Sequence, residues 1–430
     1  MVPPRLHRNV WVQGGYKRAE GSWARPVRRG HRLRPDSALA SAPMRLSPAL
    51  LALLVAVPAA RAQEQFVVFT ALPVLDVPAV PEMGGATVGR LADDARSFLQ
   101  NPAALALAPA GQAAVGTPSA VWFGESRIET AAASWTSRVR RLALGVGAAQ
   151  GEMSGDARTL GDGTPFDPTD RFRALSASVA TAGAVRAAFG ATARMVTSTD
   201  APVYDGARFT VGRLRGMTAD VGALVTADVA RLAGSPRVGW LSPALDVTAG
   251  YAQTHIGGAV KYSGFAGQPL PRTGALGWSA RAGLDTPVAG RALRLVEVEG
   301  AFGAERRLAR PSGLEGGVTY APLMAGVGIA DALAGTGTDL TTGRRGVRLG
   351  LAETLSVAWG TFDGGGFRSV ATRSVEVRTA GVFALAAGRL RLGSVGAALA
   401  RVDLRVGRTT VFAGSPDATS RTTFSLVVRR

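Results

Sequence analysis

Much of the chain after about residue 111 alternates with a period of two. Val185, Ala187, Phe189, Ala191, Ala193 and Met195 interleave with Arg186, Ala188, Gly190, Thr192, Arg194 and Val196. Ala219, Val221, Ala223, Val225, Ala227 and Val229 interleave with Asp220, Gly222, Leu224, Thr226, Asp228 and Ala230. Leu276, Trp278, Ala280, Ala282 and Leu284 do the same with Gly277, Ser279, Arg281, Gly283 and Asp285. Successive side chains of a strand point to opposite faces, so each segment has one apolar face and one that admits Arg, Asp and Thr. A soluble sandwich alternates too, but its core needs large side chains. Here the apolar faces are mostly Ala, Val and Leu, and Phe, Trp and Tyr make up only 6% of the chain. Lipid on one side and a wet lumen on the other suit this pattern better.

Further strands are predicted near residues 112–122, 127–138, 141–152, 172–182, 207–216, 244–254, 256–265, 291–302, 314–329, 346–360, 369–379, 380–388, 389–406 and 421–429. Allowing for splits and mergers, about fourteen strands of roughly ten residues fit. Short connections at Arg140, Gly183-Ala184 and Gly216-Met217 alternate with long ones at 154–170, 264–273 and 334–346, which are rich in Gly, Pro, Asp and Thr. The long ones are expected to be extracellular. The predicted fold is an all-β, antiparallel transmembrane barrel over 111–430, with 63–110 as an N-terminal arm and hatch.

The first 62 residues change the reading of the charge. The formal net charge is +18. Eleven Arg or Lys against two acidic residues place nine of those positive charges in residues 1–62. Met44-Arg45-Leu46, an apolar run from Ala49 to Val57 and Ala60-Arg61-Ala62 follow the order of a secretory signal peptide, with cleavage expected after Ala62. Residues 1–43 are then expected to be an over-extended start, and 44–62 the leader. The remaining arginines are scattered singly among apolar residues, which argues against nucleic acid. No cysteine is present, so neither a disulfide framework nor a thiolate metal site is available.

Residues 83–105 stand between leader and strands. Gly84-Gly85 permits a tight turn, Asp93 or Asp94 can N-cap a short helix over 95–100, and Pro102 biases Asn101 away from helix. Met83, Gly84, Gly85, Ala86, Asp93, Asp94, Ala95, Asn101, Pro102, Ala103 and Leu105 together resemble a signature near the mature N-terminus of a superfamily of outer-membrane β-barrels. That superfamily includes long-chain fatty-acid transporters of the FadL type and PorV/PorQ-like proteins linked to type IX secretion. Ala104 departs from it, standing where many members have Gly. The resemblance implies fourteen strands, a short helical plug formed by the motif region, a lumenal pocket and lateral release through an irregular strand. Phe98, Leu99 and Leu105 would be substrate contacts on the hatch.

Chemistry narrows the functions. His255, expected at an interface or in a loop, is the one histidine beyond residue 31, and no phosphate-binding glycine loop occurs, so no catalytic residue is expected. Asp156, Asp162, Asp167 and Asp170 match no recognised calcium loop, and no metal or cofactor is expected. Arg186, Arg194, Asp220, Asp228, Arg281, Asp285, Glu297 and Glu299 should face the lumen, because charges face hydrocarbon only at high cost. Trp122, Trp135, Trp240, Trp278 and Trp359 are candidates for the interfacial belts. The chain ends on Phe424-Ser425-Leu426-Val427-Val428-Arg429-Arg430, without the terminal aromatic common in bacterial barrels. The expectation is a Gram-negative outer-membrane channel in contact with lipid, passing fatty acids or other hydrophobic molecules. The alternative is a PorV/PorQ-like partner that anchors or shuttles secreted proteins at the cell surface.

Overall fold

The computed structural model describes residues 82–91, 94–120, 127–155, 158–159, 165–204, 209–235, 237–258, 270–288, 291–312, 317–321, 327–365, 367–390, 393–412 and 419–429. The expected leader and arm, and Trp122, Asp93, Asp156 and Asp162, lie outside these residues. Fourteen antiparallel strands form one closed barrel. They are β1 (Gly111–Ala120), β2 (Arg127–Val139), β3 (Leu142–Ser154), β4 (Thr169–Thr181), β5 (Val185–Tyr204), β6 (Phe209–Asp228) and β7 (Ser242–Ile256). The circuit continues with β8 (Thr273–Val288), β9 (Arg291–Arg307), β10 (Thr341–Leu351), β11 (Leu355–Gly364), β12 (Phe367–Arg378), β13 (Val402–Val411) and β14 (Thr419–Val428). Each pairs with its neighbour in sequence, and β1 pairs with β14 from Gly111↔Val428 to Gly116↔Thr423. Closure leaves no free sheet edge.

Alternation fixes which face looks in. On β4 to β6, Leu175, Phe189 and Met217 are 70%, 62% and 72% exposed, whereas Thr192, Arg194 and Asp220 are at most 2% exposed. The same inversion runs around the wall, with Leu144, Val146, Val225, Val298, Leu349, Val375, Leu404 and Phe424 outside and Thr130, Ser134, Ser176, Thr226, Thr248, Thr372 and Thr423 inside. An apolar exterior of this extent is incompatible with solution as a monomer. The solvent that fits it is hydrocarbon, and the chain is a transmembrane β-barrel. Trp135, Trp240 and Trp359 are exposed at 56%, 65% and 42%.

Several sequence-predicted elements differ. Gly216-Met217 is no turn: Val196↔Gly216 and Met195↔Met217 are paired inside the twenty-residue β6. The glycine sits inside an unbroken alternation, facing in with Thr218. Residues 346–360 split at the tight connection Ala352-Glu353, both at positive φ (50° and 49°). The two strands expected over 380–406 are replaced through 399 by helices Ala380–Leu390 and Gly393–Leu399. Ala380, Ala384 and Ala387 are buried there, a helical spacing in an Ala/Leu-rich run that a period of two obscures. Within 314–329 the described pairing is a small hairpin of Ala309–Ser312 with Gly317–Tyr320, apart from the barrel. Most of 256–265 falls outside the described residues.

The start of β1, the end of β14 and turns such as Arg140-Arg141 and Gly183 share one rim, which Glu353 helps to hold. It accepts from Arg291 Nη2 at 3.0 Å and from the Arg294 amide at 3.3 Å, and pairs with Arg429. Burial pulls the Glu353 carboxyl upward, but Arg429 and Arg291 prevail and hold it below the ordinary carboxylate value. A depressed folded-state pKa stabilises above the unfolded value and is lost as pH falls through the folded one. The barrel should therefore resist SDS unfolding less below about pH 4, and Glu353→Gln should weaken it at pH 7 while flattening that pH dependence in a gel-shift assay.

Candidate functional site: the lumen and the segment inside it

Residues 82–91 and 94–110 lie in the interior, touching strands from β2 to β12. Three short 3-10 helices, Glu82–Gly85, Ser97–Leu99 and Pro102–Leu107, shape it. The short helix expected over 95–100 forms as the single 3-10 turn Ser97–Leu99, without a side-chain N-cap. Asp94 is occupied locally instead, accepting from the Arg96 amide at 2.7 Å and from Arg96 Nε at 2.9 Å. Such side-chain turns compete with helix propagation. Asn101 is the cap that forms, with extended backbone and its Oδ1 accepting from the Ala103 amide at 3.2 Å, and Pro102 opens the next turn.

Glycines on the wall make room for this segment. A Cβ at Gly222 would lie 2.1 Å from Asn101 Oδ1, and one at Gly250 would lie 2.3 Å from the Val88 carbonyl oxygen. Cβ atoms at Gly145, Gly190 and Gly346 would lie 2.6, 2.5 and 2.3 Å from Leu105, Pro102 and Met83, and one on Gly89 of the segment would lie 2.3 Å from Gly277. Six strands thus present bare backbone at the segment, each glycine lying in the inward half of its alternation. In the sequence that placement was the available signal.

Polar ties hold what the glycines seat. Asn101 Nδ2 donates to the carbonyl oxygens of Val88 (2.8 Å) and Ala223 (3.2 Å). Ser279 Oγ donates to the Gly89 oxygen at 2.9 Å. Arg90 binds Glu299 through two bonds of 2.8 and 2.9 Å. From Glu299 a ladder of charges descends the wall: Arg348 bridges Glu299 and Glu297, both at 2.9 Å, and Arg294 joins Glu297 at 3.2 Å to Asp285 at 2.7 Å. Arg281 pairs with Asp246 at 3.2 Å. Asp228 lies at the rim, capping helix Val229–Leu232 through the Arg231 amide. Arg186 is half-buried on β5.

Arg194 and Asp220 occupy the pivotal position. Both side chains are fully buried and meet at 2.7 Å. Arg194 Nη2 also donates to the Leu99 carbonyl at 2.7 Å, and its guanidinium lies 5.5 Å from the centroid of the Phe172 ring. Asp220 Oδ1 accepts the His255 amide at 2.8 Å. There the β6–β7 ladder jumps from Ala219↔Ile256 to Val221↔Gln253, a bulge in the wall, with His255 at φ 56°. One ion pair therefore connects the interior segment to the irregularity. His255, expected at an interface or in a loop, is instead buried, with Nδ1 3.2 Å from the Pro271 oxygen.

Phe98, Leu99 and Leu105, 1–2% exposed, join Ile128, Phe172, Val196, Leu214 and Leu270 in one apolar cluster. Met83 packs with Ala86, Ala301 and Ala358, and Ala103 with Ala104, Ala180, Ala188 and Leu224. Beside the segment lies a cavity of about 50 Å³, lined among others by Val88, Leu99, Thr254, His255, Ala275 and Arg344. That is room for a few waters, well below the roughly 300 Å³ at which small-molecule sites begin. Asp170, from the expected acidic loop, is buried at the top of β4, and no group of three metal-ligating side chains occurs among the described residues.

A barrel with an apolar exterior, a polar and ionic wall, and a bound interior segment is the class of protein that fold and lumen define. No family model matches the sequence, and no curated relative does. Solved structures with a similar overall course include the toluene transporter TbuX of Ralstonia pickettii (11% identity, 82% of this chain and 97% of that one, TM-score 0.41). The translocator domain of autotransporter NalP from Neisseria meningitidis is another (12%, 74% and 87%, TM-score 0.34), as is the outer membrane protein OpdK from Pseudomonas aeruginosa (10%, 74% and 97%, TM-score 0.28). At these identities and scores the likenesses give this chain neither a family nor a substrate.

Proposed function

We propose that the chain is an outer-membrane channel for hydrophobic small molecules, held closed by residues 82–110. The observation that carries this reading is the apolar surface inside the barrel. Ile128, Phe172, Val196 and Leu214 all turn inward on the long-loop half of β2 to β6 and meet Phe98 and Leu99 of the segment. A lumen serving ions or sugars gains nothing from such a surface, whereas an apolar solute is drawn along it. The ties to Arg90, Asn101 and Arg194 are separate polar contacts, so the segment can shift without the strands unpairing. The bulge at Asp220 and His255 is where a solute would leave sideways into lipid. Fatty acids, the substrate implied by the resemblance over 83–105, and small aromatics are both candidates for this path.

Uptake of a fluorescent fatty acid and of a monoaromatic compound into proteoliposomes tests the reading. The wild-type chain should exceed empty liposomes for at least one of them. Asn101→Ala, which removes three hydrogen bonds at the neck of the segment, should raise the uptake rate severalfold by destabilising the closed state, each bond contributing about 1 kcal/mol. Uptake equal to empty liposomes for both probes would remove the channel reading and leave an anchoring role, carried by the loops.

A further inference from the structure

Above the apolar belt of β4 to β6, towards the long-loop rim, the outward face changes character. Arg171 and Arg173 on β4 and Arg213 and Arg215 on β6 are all exposed. The register Arg171↔Thr197 and Thr197↔Arg215 sets two of them in one row on either side of β5. Strands lie about 4.8 Å apart, so that row is about 10 Å wide, and Arg173 and Arg213 sit one step below and one above it, roughly 7 Å along their strands. Directly beneath come Leu175 and Met217, 70% and 72% exposed. The patch is thus continuous with the lipid-facing surface.

Among the described residues the charge is not neutralised. Glu152 takes Arg171 through two bonds of 2.8 and 3.0 Å, and Arg215 reaches the Met195 sulfur at 3.3 Å. Gln150 and Met195 flank Arg173 in register. Among the described residues, the other acidic groups beside the patch are Glu129, opposite Glu152, and Asp167, just ahead of β4. With Arg127, also exposed on β2, five arginines stand there against three carboxylates, an excess of positive charge at the boundary of the apolar belt. Guanidinium groups bind phosphate through paired N–H donors and are stable at that boundary with their stems in the belt.

We propose that this face of β4 to β6 is a docking surface for a phosphorylated lipid of the outer leaflet, its phosphates on Arg173, Arg213 and Arg215 and its acyl chains along Leu175 and Met217. The inference rests on the barrel spanning a membrane and is independent of transport, so failure of uptake leaves it standing. Native mass spectrometry of the detergent-solubilised chain, given a bis-phosphorylated glucosamine lipid or its dephosphorylated form, tests it. The wild type should retain the phosphorylated lipid preferentially. Arg173→Gln/Arg213→Gln/Arg215→Gln should weaken retention on the order of 100-fold at low salt, with the gap shrinking as salt rises. Arg138→Gln/Arg140→Gln/Arg141→Gln, at the opposite rim, should leave it unchanged. Should the triple variant not fold, Arg215→Gln alone should weaken retention about fivefold. Equal retention of both lipid forms by the wild type, or unchanged retention by a folded variant, overturns the proposal.

Discussion

Arg194→Met is expected to lower the stability of the barrel by about 3–5 kcal/mol, the effect of breaking a buried ion pair and leaving its partner charged. Asp220 keeps the His255 amide but loses its counter-charge at 0% exposure, and the Leu99 carbonyl loses its donor. Thermal unfolding in detergent micelles, followed by loss of strand circular dichroism, reads the change. Arg194→Met/Asp220→Leu should recover most of the loss, because apolar replacement of both partners removes the stranded charge. If the double variant is no more stable than the single one, the ion pair is not the cause. Uptake should rise in Arg194→Met even under conditions where the barrel stays folded, since the donor that holds Leu99 is gone.

Gly222→Val should open the lumen. Its Cβ would sit 2.1 Å from Asn101 Oδ1 and 3.0 Å from Pro102 Cδ, and neither neighbour can move without shifting the segment. Overpacking of this kind is destabilising by roughly 1–3 kcal/mol or more where nothing yields. Here the strands are locked by their ladders and the segment by a few polar ties, so the segment yields. Single-channel conductance in planar bilayers should go from closed to open, and Gly250→Val, aimed at Val88, should do the same. Gly300→Ala is the comparison, since a Cβ there meets only Phe302 at an ordinary 3.7 Å. Conductance of Gly222→Val no greater than that of Gly300→Ala would show that the segment does not obstruct the lumen.

The barrel was legible because its signal is local. Inside and outside differ at every second residue of β5, β6 and β8, and no distant contact is needed to read that. Where local signals mislead, the reasons are equally specific. Gly216 looked like a turn because glycine is permissive, yet its inward parity marked a strand. The run from Ala380 looked like a strand because small apolar residues satisfy either period, and burial at Ala380, Ala384 and Ala387 decided for helix. Residues 83–105 could be singled out in sequence, but not their partners. The ties Arg90–Glu299 and Arg194–Leu99 span 209 and 95 positions and depend on register. His255 was misplaced because a bulge leaves no pattern when both faces nearby are small or polar.

The row of glycines that seats the segment also shapes what a vacated channel would be. With the segment withdrawn, part of the wall it covered would present naked peptide at Gly145, Gly190, Gly222, Gly250, Gly277 and Gly346. A surface built from backbone has no side chain that a point mutation can trim. A solute would slide over bare peptide at these positions and meet Arg194, Asp220, Glu299 and Arg348 beside them, so its charge as well as its girth would decide whether it passes.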